Sequence, residues 1–432
     1  MGNLMRQYWI PAIQSAEVPS PDSPPLRIRL LNENLIAFRA TSGKVGLVDD
    51  TCPHRGASMF FGRNEEEGLR CIYHGWKFDT TGRCVDMLNE PAGSTFPSRV
   101  QIPAYPTQER NGIIWAYMGP RETPPPLPDL EANMITNGPP RVRTTMNFYN
   151  WMQSIENNMD TSHQAILHFG TLTPDVVDWP EFRDRTDVKY FVGDRAPIFD
   201  VRDTLAGVSA GAHRPAGDDA YYWKTMHWFF PFYTMGPVVK LGSAAQFSAT
   251  VPIDDHHCMS WGMTTVVGEM DGAVRGQNLQ RDNLPNTSDW LGRFRNPASA
   301  HVATDFNIDR EIQSAGRPSL QGWSGLIDVN TQDEAMRWSQ GRANNSGIVD
   351  RTLEHLTQTD AEIIRVRRRL LDAAKALAEN GTVPPGVDMP HAYRYRSGWT
   401  VLPRTVDFWE GARELREAFM QELPVELAVQ AR

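Results

Sequence analysis

Apolar residues fall in short bursts through the first quarter of the chain. Leu26 to Arg39 and Lys44 to Asp50 alternate or cluster their apolar positions on either side of Gly43, which predicts a hairpin of short strands. Strand signals follow at Cys71 to Phe78, with Thr81-Gly82 as a turn, and at Gly112 to Met118. Short strands punctuated by turns predict an all-β unit up to about Gly119. Pro120 to Arg143 then carries Pro124, Pro125, Pro126, Pro128, Pro139 and Pro140, a run that admits neither a long helix nor a central strand. It marks the boundary between a unit at 1–140 and a second at 141–432. Beyond it, Phe148 to Leu167 has helical character, with Gly170 where a helix would stop. Strand-like runs return at Val188 to Val192, Tyr221 to Phe230, Ala245 to Pro252 and Met259 to Val267. Ile363, Val366, Leu370, Ala374 and Leu377 form the apolar stripe of an amphipathic helix closing at Asn380-Gly381, expected to pack on a sheet. No solenoid repeat interrupts this order. The expected fold class is α+β: an all-β front unit, then a curved antiparallel sheet with helices on one side.

Composition narrows the function classes. A chain of 432 residues suggests two or three domains, each able to bury a core. Lys plus Arg number 43 against 52 Asp plus Glu, a net charge of -9 with no long run of one sign, so nucleic acid is not an expected partner. No apolar stretch is long enough to span a membrane, and Met1 to Pro11 lacks the layout of a signal peptide, so a cytoplasmic protein is expected. Cys52, Cys71, Cys84 and Cys258 do not make a disulfide framework. Cys84 and Cys258 read as structural thiols.

Cys52-Pro53-His54-Arg55-Gly56 is answered by Cys71-Ile72-Tyr73-His74-Gly75-Trp76, two arms that each offer one thiolate and one imidazole. Such a set suits a [2Fe-2S] centre in which one iron keeps two Cys and the other takes two His, since neutral imidazole raises the reduction potential. A structural zinc site uses the same donors. The one-residue gap in Cys52-x-His54 is tight for a zinc knuckle, and both arms run into glycine, which lets backbone approach a cluster. At these residues the chain resembles the Rieske family. The resemblance implies that Cys52 and Cys71 hold one iron, that His54 and His74 hold the other, and that Pro53, Tyr73 and Trp76 support the loops.

A second cluster of donors lies in Asn157 to His168. On a regular helix Asp160 and His163 are neighbours, whereas His163 and His168 point about 140° apart. Both can face one ion only if the helix unwinds or bulges, and a distortion is expected at Gln164 to Leu167. Two imidazoles and one carboxylate make the facial triad that leaves positions open on non-haem Fe(II). These donors suit zinc and ferrous iron alike, and two helix histidines taken alone are more often a hydrogen-bonded pair in a core. The company of the Cys/His arms favours iron, because a relay centre needs an acceptor.

With this motif the chain is similar to the Rieske non-haem iron aromatic ring-hydroxylating oxygenases, large (α) subunit, phthalate dioxygenase-like. Their Asn-x-x-Asp-x-x-His-x-x-x-x-His pattern matches Asn157, Asp160, His163 and His168. The resemblance implies His163 and His168 as ligands of the catalytic iron and a helix-grip-like catalytic domain. It places Asn157 and Asp160 in the catalytic group, with Asp160 bridging His163 to a cluster histidine of a neighbouring subunit. Gln332-Asp333-Glu334 is similar to the family's carboxylate segment. Asp333 is the chosen third ligand, with Glu334 and Asp328 as rivals.

The resemblance further implies electrons from NAD(P)H through a separate flavin-containing reductase, with or without a ferredoxin domain. The Gly207 to Gly217 stretch lacks the context of a nucleotide fingerprint. A homotrimer or stacked pair of trimers is expected, as are O2 and an aromatic, phthalate- or benzoate-like carboxylate as substrates. A carboxylate calls for a cation in the pocket, for which Arg202, Lys224, His227 and Arg185 stand in suitable regions. Trp223, Trp228, Phe229, Phe230, Phe232, Tyr233 and Met235 are candidates for an apolar lining. The alternatives are O- or N-demethylation of a methoxylated aromatic acid, or a zinc-stabilised binding protein.

Overall fold

The computed structural model describes residues 1–136, 138, 141–175, 187–268, 294, 297–341 and 347–417. Its front holds strands β1 (Trp9–Gln14), β2 (Leu26–Leu30), β3 (Glu33–Arg39), β4 (Val45–Asp49), β5 (Arg63–Glu65), β6 (Gly68–Arg70), β7 (Trp76–Asp79), β8 (Cys84–Met87), β9 (Thr107–Arg110) and β10 (Ile113–Tyr117). They form three antiparallel sheets, in the orders β1-β10-β9, β2-β3-β4 and β5-β6-β7-β8. Leu26, Ile28 and Leu30 of β2 point inward between half-buried Arg27 and Arg29, the period of two that makes a half-buried strand legible. β10 is buried along its whole length between two partners and carries no such alternation.

The second unit is one large antiparallel sheet of β11 (Val142–Asn147), β12 (Ile198–Thr204), β13 (Gly207–Pro215), β14 (Ala220–Phe229), β15 (Tyr233–Met235), β16 (Ala244–Pro252), β17 (Cys258–Val266) and β18 (Gly398–Pro403). Its order is β11-β17-β16-β15-β14-β13-β12, with β18 pairing β14. Gly207 and Gly211 belong to β13, paired with β14. A Cβ on Gly207 would stand 1.9 Å from the Trp228 carbonyl oxygen, so only glycine allows this approach of strands. The helix Ala361–Asn380 buries Ile363, Val366 and Leu370, and ends at Gly381 in the left-handed region, as its stripe predicted.

Three expectations change. The strand read over Cys71 to Phe78 begins only at Trp76, because Cys71 to Gly75 form a turn closed by the Gly75 amide on the Cys71 carbonyl. Val188 to Val192, read as a strand, lies in the helix Val188–Gly193. The buried residues Val188, Phe191 and Val192 follow a helical spacing that five residues are too few to reveal. The helix expected over Phe148 to Leu167 is split: Trp151–Met159 is helical, capped by the Asn150 side chain on the Met152 amide (3.0 Å), and Asp160 is extended.

A single apolar core runs from β1, β2 and β10 into β14–β17, including Trp115, Trp228 and Trp261. Truncating one such buried aromatic costs about 3–5 kcal/mol, so the two units share their stability. The proline-rich segment is pinned between them. Trp9 Nε1 donates to the Pro125 carbonyl (2.6 Å), Arg394 pairs with Asp129 (2.8 Å), and Arg396 grips Glu131 with both arms of its guanidinium. The front unit therefore presents its Cys/His arms from a rigid mount. Those arms pack in a second, smaller core with Phe38, Met59 and Phe78.

Candidate active site

The two Cys/His arms fold into matching loops. Cys52 donates its amide to the Ala57 carbonyl (2.8 Å) and accepts from the Gly56 amide (2.9 Å). Cys71 does the same with Trp76 (2.8 Å) and Gly75 (2.9 Å). Gly56 and Gly75 both sit at positive φ, +73° and +79°, which closes each loop where a side chain would be strained. Both sulfurs are buried. The His54 and His74 rings meet edge to face, 4.3 Å apart, and His54 stacks on Trp76, whose Nε1 donates to Asn89 (2.8 Å). Arg70 braces the second loop by donating to the Gly75 carbonyl (2.7 Å) and to Asp86 (2.8 Å). Ile72 and Tyr73 form an exposed tip.

Burial pushes the Cys52 thiol up to about 11, against the pull of the His54 and Arg55 amides and with neighbouring Cys71 adding to the rise. Buried His54 Nδ1 has no hydrogen-bond partner. A metal centre would take the thiols as thiolates and satisfy that nitrogen, so the donor set fits a two-Cys, two-His cluster.

The second centre lies where helix Trp151–Met159 ends. Asp160 turns the chain, and its Oδ1 accepts from the Ser162 amide (2.5 Å) and hydroxyl (2.6 Å). His163 leads into a π turn, Gln164–His168, at the place expected to bulge. Its wider i→i+5 ring brings residues five apart to one side. Gly170 follows because a Cβ there would stand 2.4 Å from the Ile166 carbonyl oxygen and 2.5 Å from the Trp323 ring.

His163 Nε2 and His168 Nε2 both point at Asp333 Oδ1, at 3.6 and 3.4 Å. The donor atoms of all three residues lie within 4.8 Å of one another. Ligand atoms at right angles around a metal at about 2.1 Å stand about 3 Å apart, so slight closure would seat an ion. Both Nδ1 atoms are already engaged, His163 with Asp160 Oδ2 (3.0 Å) and His168 with Gln332 Oε1 (2.7 Å). That is how an imidazole is held with its far nitrogen free for metal. Burial pushes the Asp160 carboxyl up, but the His163 and Ser162 donors outweigh it and hold the group below its usual range.

The helix Val329–Gln340 supplies the carboxylate and separates the three acidic candidates. Asp328 caps the helix through the Thr331 amide (2.8 Å), and Glu334 is buried as acceptor of the Tyr149 hydroxyl (3.0 Å). Asp333 alone reaches the histidines. Arg337, one turn on, donates to Asp333 Oδ2 (3.4 Å) and to the Asn157 side-chain oxygen, and Asn157 Nδ2 donates to Asp333 Oδ1 (3.4 Å). Burial opposes ionisation of Asp333. The Arg337 guanidinium and the two histidines overcome it and hold the carboxyl well below the ordinary range.

Sequence reasoning missed Gln332 and Arg337. The Asp333 and Arg337 spacing of four is a helical ion-pair signal. Gln332 had none, because its role depends on His168, 164 residues away in the chain. Of the candidate cations, Arg202 is exposed beside Asp200, and His227 is buried between Ser209 and the Arg396 carbonyl. Arg185 lies outside the described residues. Lys224 is buried with its ammonium 2.5 Å from Gln164 Oε1, beside the π turn. Among the described residues, no helix is long and apolar enough to cross a membrane.

A family model described as Rieske [2Fe-2S] domain matches residues 8–106, and one described as LigXa C-terminal domain like matches 116–426. The chain is 39% identical to the 3-chlorobenzoate-3,4-dioxygenase oxygenase subunit of Comamonas testosteroni, over 96% of this chain and 94% of that one. Identity to the phthalate 4,5-dioxygenase oxygenase subunit of Pseudomonas putida is 32%, covering 87% and 83%. Identity to the 5,5'-dehydrodivanillate O-demethylase oxygenase subunit of a Sphingobium species is 33%, covering 91% and 83%. Dicamba monooxygenase bound to dicamba shares the fold, with a TM-score of 0.55 at 18% identity over 87% of this chain and 99% of that one.

The π turn gives a direct test. Gly170→Ala should cost roughly 1–3 kcal/mol through overpacking and weaken metal binding at the His163 centre, read by thermal melting and metal titration. Unchanged binding would show that the turn does not depend on this close approach.

Proposed function

The chain belongs to the Rieske non-haem iron aromatic ring-hydroxylating oxygenases, as a large (α) subunit, and on that footing we propose that Cys52, His54, Cys71 and His74 hold its [2Fe-2S] cluster while His163, His168 and Asp333 hold a ferrous ion. It is the terminal oxygenase component of its system. When bound, the two groups supply a one-electron relay and dioxygen chemistry. What supports the assignment is the aim of two histidine Nε2 atoms at one Asp333 oxygen. In this reading Asp160 and Gln332 hold the ring orientations, Arg337 keeps Asp333 anionic, and Asn157 orients the carboxylate.

Asp160 is partly exposed, and we take it as the place where a cluster histidine of the next copy arrives. Around the Cys/His loops Ile72, Tyr73, Leu88 and Phe96 are exposed, and Trp323, Ile327 and Met336 are exposed on the segments that flank Gln332 and Asp333. Two apolar surfaces of this kind suit a head-to-tail contact that closes into a trimer. A separate NAD(P)H reductase would deliver the electrons, and we take both proteins to work in the cytoplasm.

The substrate we propose is an aromatic carboxylate, as the names of the chlorobenzoate and phthalate relatives suggest. Lys224 is the cation best situated to receive it. On β14 it shares a sheet face with Tyr222, which packs among Ala165, Phe169 and Phe191, and its ammonium lies 4.5 Å over the Phe191 ring. O-demethylation of a methoxylated aromatic acid is the second reading, favoured by the likeness to the dehydrodivanillate enzyme.

Three measurements test these proposals. Purified protein should carry about three irons per chain and show coupled oxygen uptake with aromatic acids. Zinc in their place would refute the assignment, and formaldehyde release would select demethylation. Asp160→Asn should keep both metals yet lose about 10–100-fold in turnover, and normal turnover would remove the bridging role. Lys224→Met should raise KM for a carboxylate substrate about 10–100-fold, the worth of a hydrogen bond to a charged group, without a matching change for a neutral analogue. Equal effects on both would exclude a carboxylate contact.

A further inference from the structure

A neutral imidazole can ligate a metal only through the nitrogen that lacks its proton, and its two tautomers differ little unless something outside the ring selects one. For His163 the selector is Asp160, an acceptor that obliges Nδ1 to carry the hydrogen. His168 faces a side-chain amide, which by itself can present either an acceptor or a donor. The chain removes that ambiguity. Gln332 Nε2 donates to the Leu320 carbonyl (2.8 Å) and the Leu326 carbonyl (3.2 Å). Carbonyl oxygens only accept, so the NH2 end must face them and Oε1 must face His168 at 2.7 Å. Both donors of the amide are used, and Gln332 is fully buried, so water does not compete. Flipping the amide would set an oxygen against two carbonyls at the cost of buried unsatisfied groups.

We propose that Gln332 is a positioning residue that fixes the Nε2-coordinating tautomer of His168, with its own orientation dictated by the Leu320 and Leu326 carbonyls. The inference rests on the reading of His163, His168 and Asp333 as the iron site. It also accounts for an amide where His163 has a carboxylate. Asp333, Glu334 and Asp160 already place three acidic side chains close to half-buried Arg337 and the histidines. A fourth, facing two carbonyls, would be an uncompensated buried charge. The two histidines are thus held by unlike partners, one anionic and one neutral.

The test uses the assembled protein with its cluster oxidised and its visible cluster spectrum matching wild type. Fe(II) affinity is measured by chelator competition, and the coordinated imidazoles are counted by electron spin echo modulation after loading Cu(II) at the same site. Gln332→Met, equal in length but without donor or acceptor, should bind Fe(II) about 10–100-fold more weakly and show one ordered imidazole where wild type shows two. Gln332→Glu, which keeps an oxygen toward His168, should retain both imidazoles even if it melts earlier. Equal affinity in Gln332→Met, weaker binding with two unchanged imidazoles, or loss of the second imidazole in Gln332→Glu would each overturn the proposal. Wild-type protein that binds no Fe(II) would instead refute the iron-site reading itself.

Discussion

Two imidazole nitrogens aimed at one carboxylate oxygen are the constraint around which the second half of the chain is arranged. Histidines five residues apart cannot share a face of an α-helix, so the chain stops one helix at Asp160, opens a π turn, and closes it at Gly170. Each departure leaves polar groups that a regular helix would have satisfied. The chain answers them locally: the Asp160 carboxylate takes the Ser162 amide and hydroxyl while its other oxygen holds His163. The widened turn is tolerable because its entry is anchored in this way.

The carboxylate arrives from a different helix, and it must be anionic although burial penalises charge. Arg337 supplies the compensating charge from one turn away and is itself held by Tyr149, Asn157 and Asp333. Such a network is costly to break at any single member, since each loss strands a buried polar partner. The rigidity has a use. A centre that opens positions for substrate and dioxygen cannot rely on bound ligands to hold its own donors in place.

The Cys/His loops solve a simpler problem. Two repeats of one hydrogen-bond pattern, each sealed by a glycine at positive φ, bring two buried thiols and two imidazoles to one surface. The loops ride on a front unit whose apolar core continues into the catalytic sheet, and the proline-rich segment is bonded to both. The surface of the Cys/His loops therefore keeps a fixed relation to the catalytic sheet, as the proposed head-to-tail assembly would require.

What the sequence determined by itself was local. Cys52, His54, Cys71, His74, Asp160, His163 and His168 lie within short windows, and the bulge at Gln164 to Leu167 followed from helical geometry applied to a five-residue spacing. The amphipathic helix ending at Gly381 was legible because one face meets the core and the other does not. Where the run is too short to show its period, as in Val188–Gly193, pattern failed. Among Asp328, Asp333 and Glu334, residue type could not choose. Only the tertiary structure gave one to a helix cap, one to Tyr149 and one to the histidines, and only it placed two backbone carbonyls behind Gln332. The physical reason is that donor chemistry is written in side chains, whereas the direction a donor faces is decided by contacts between segments far apart in the chain.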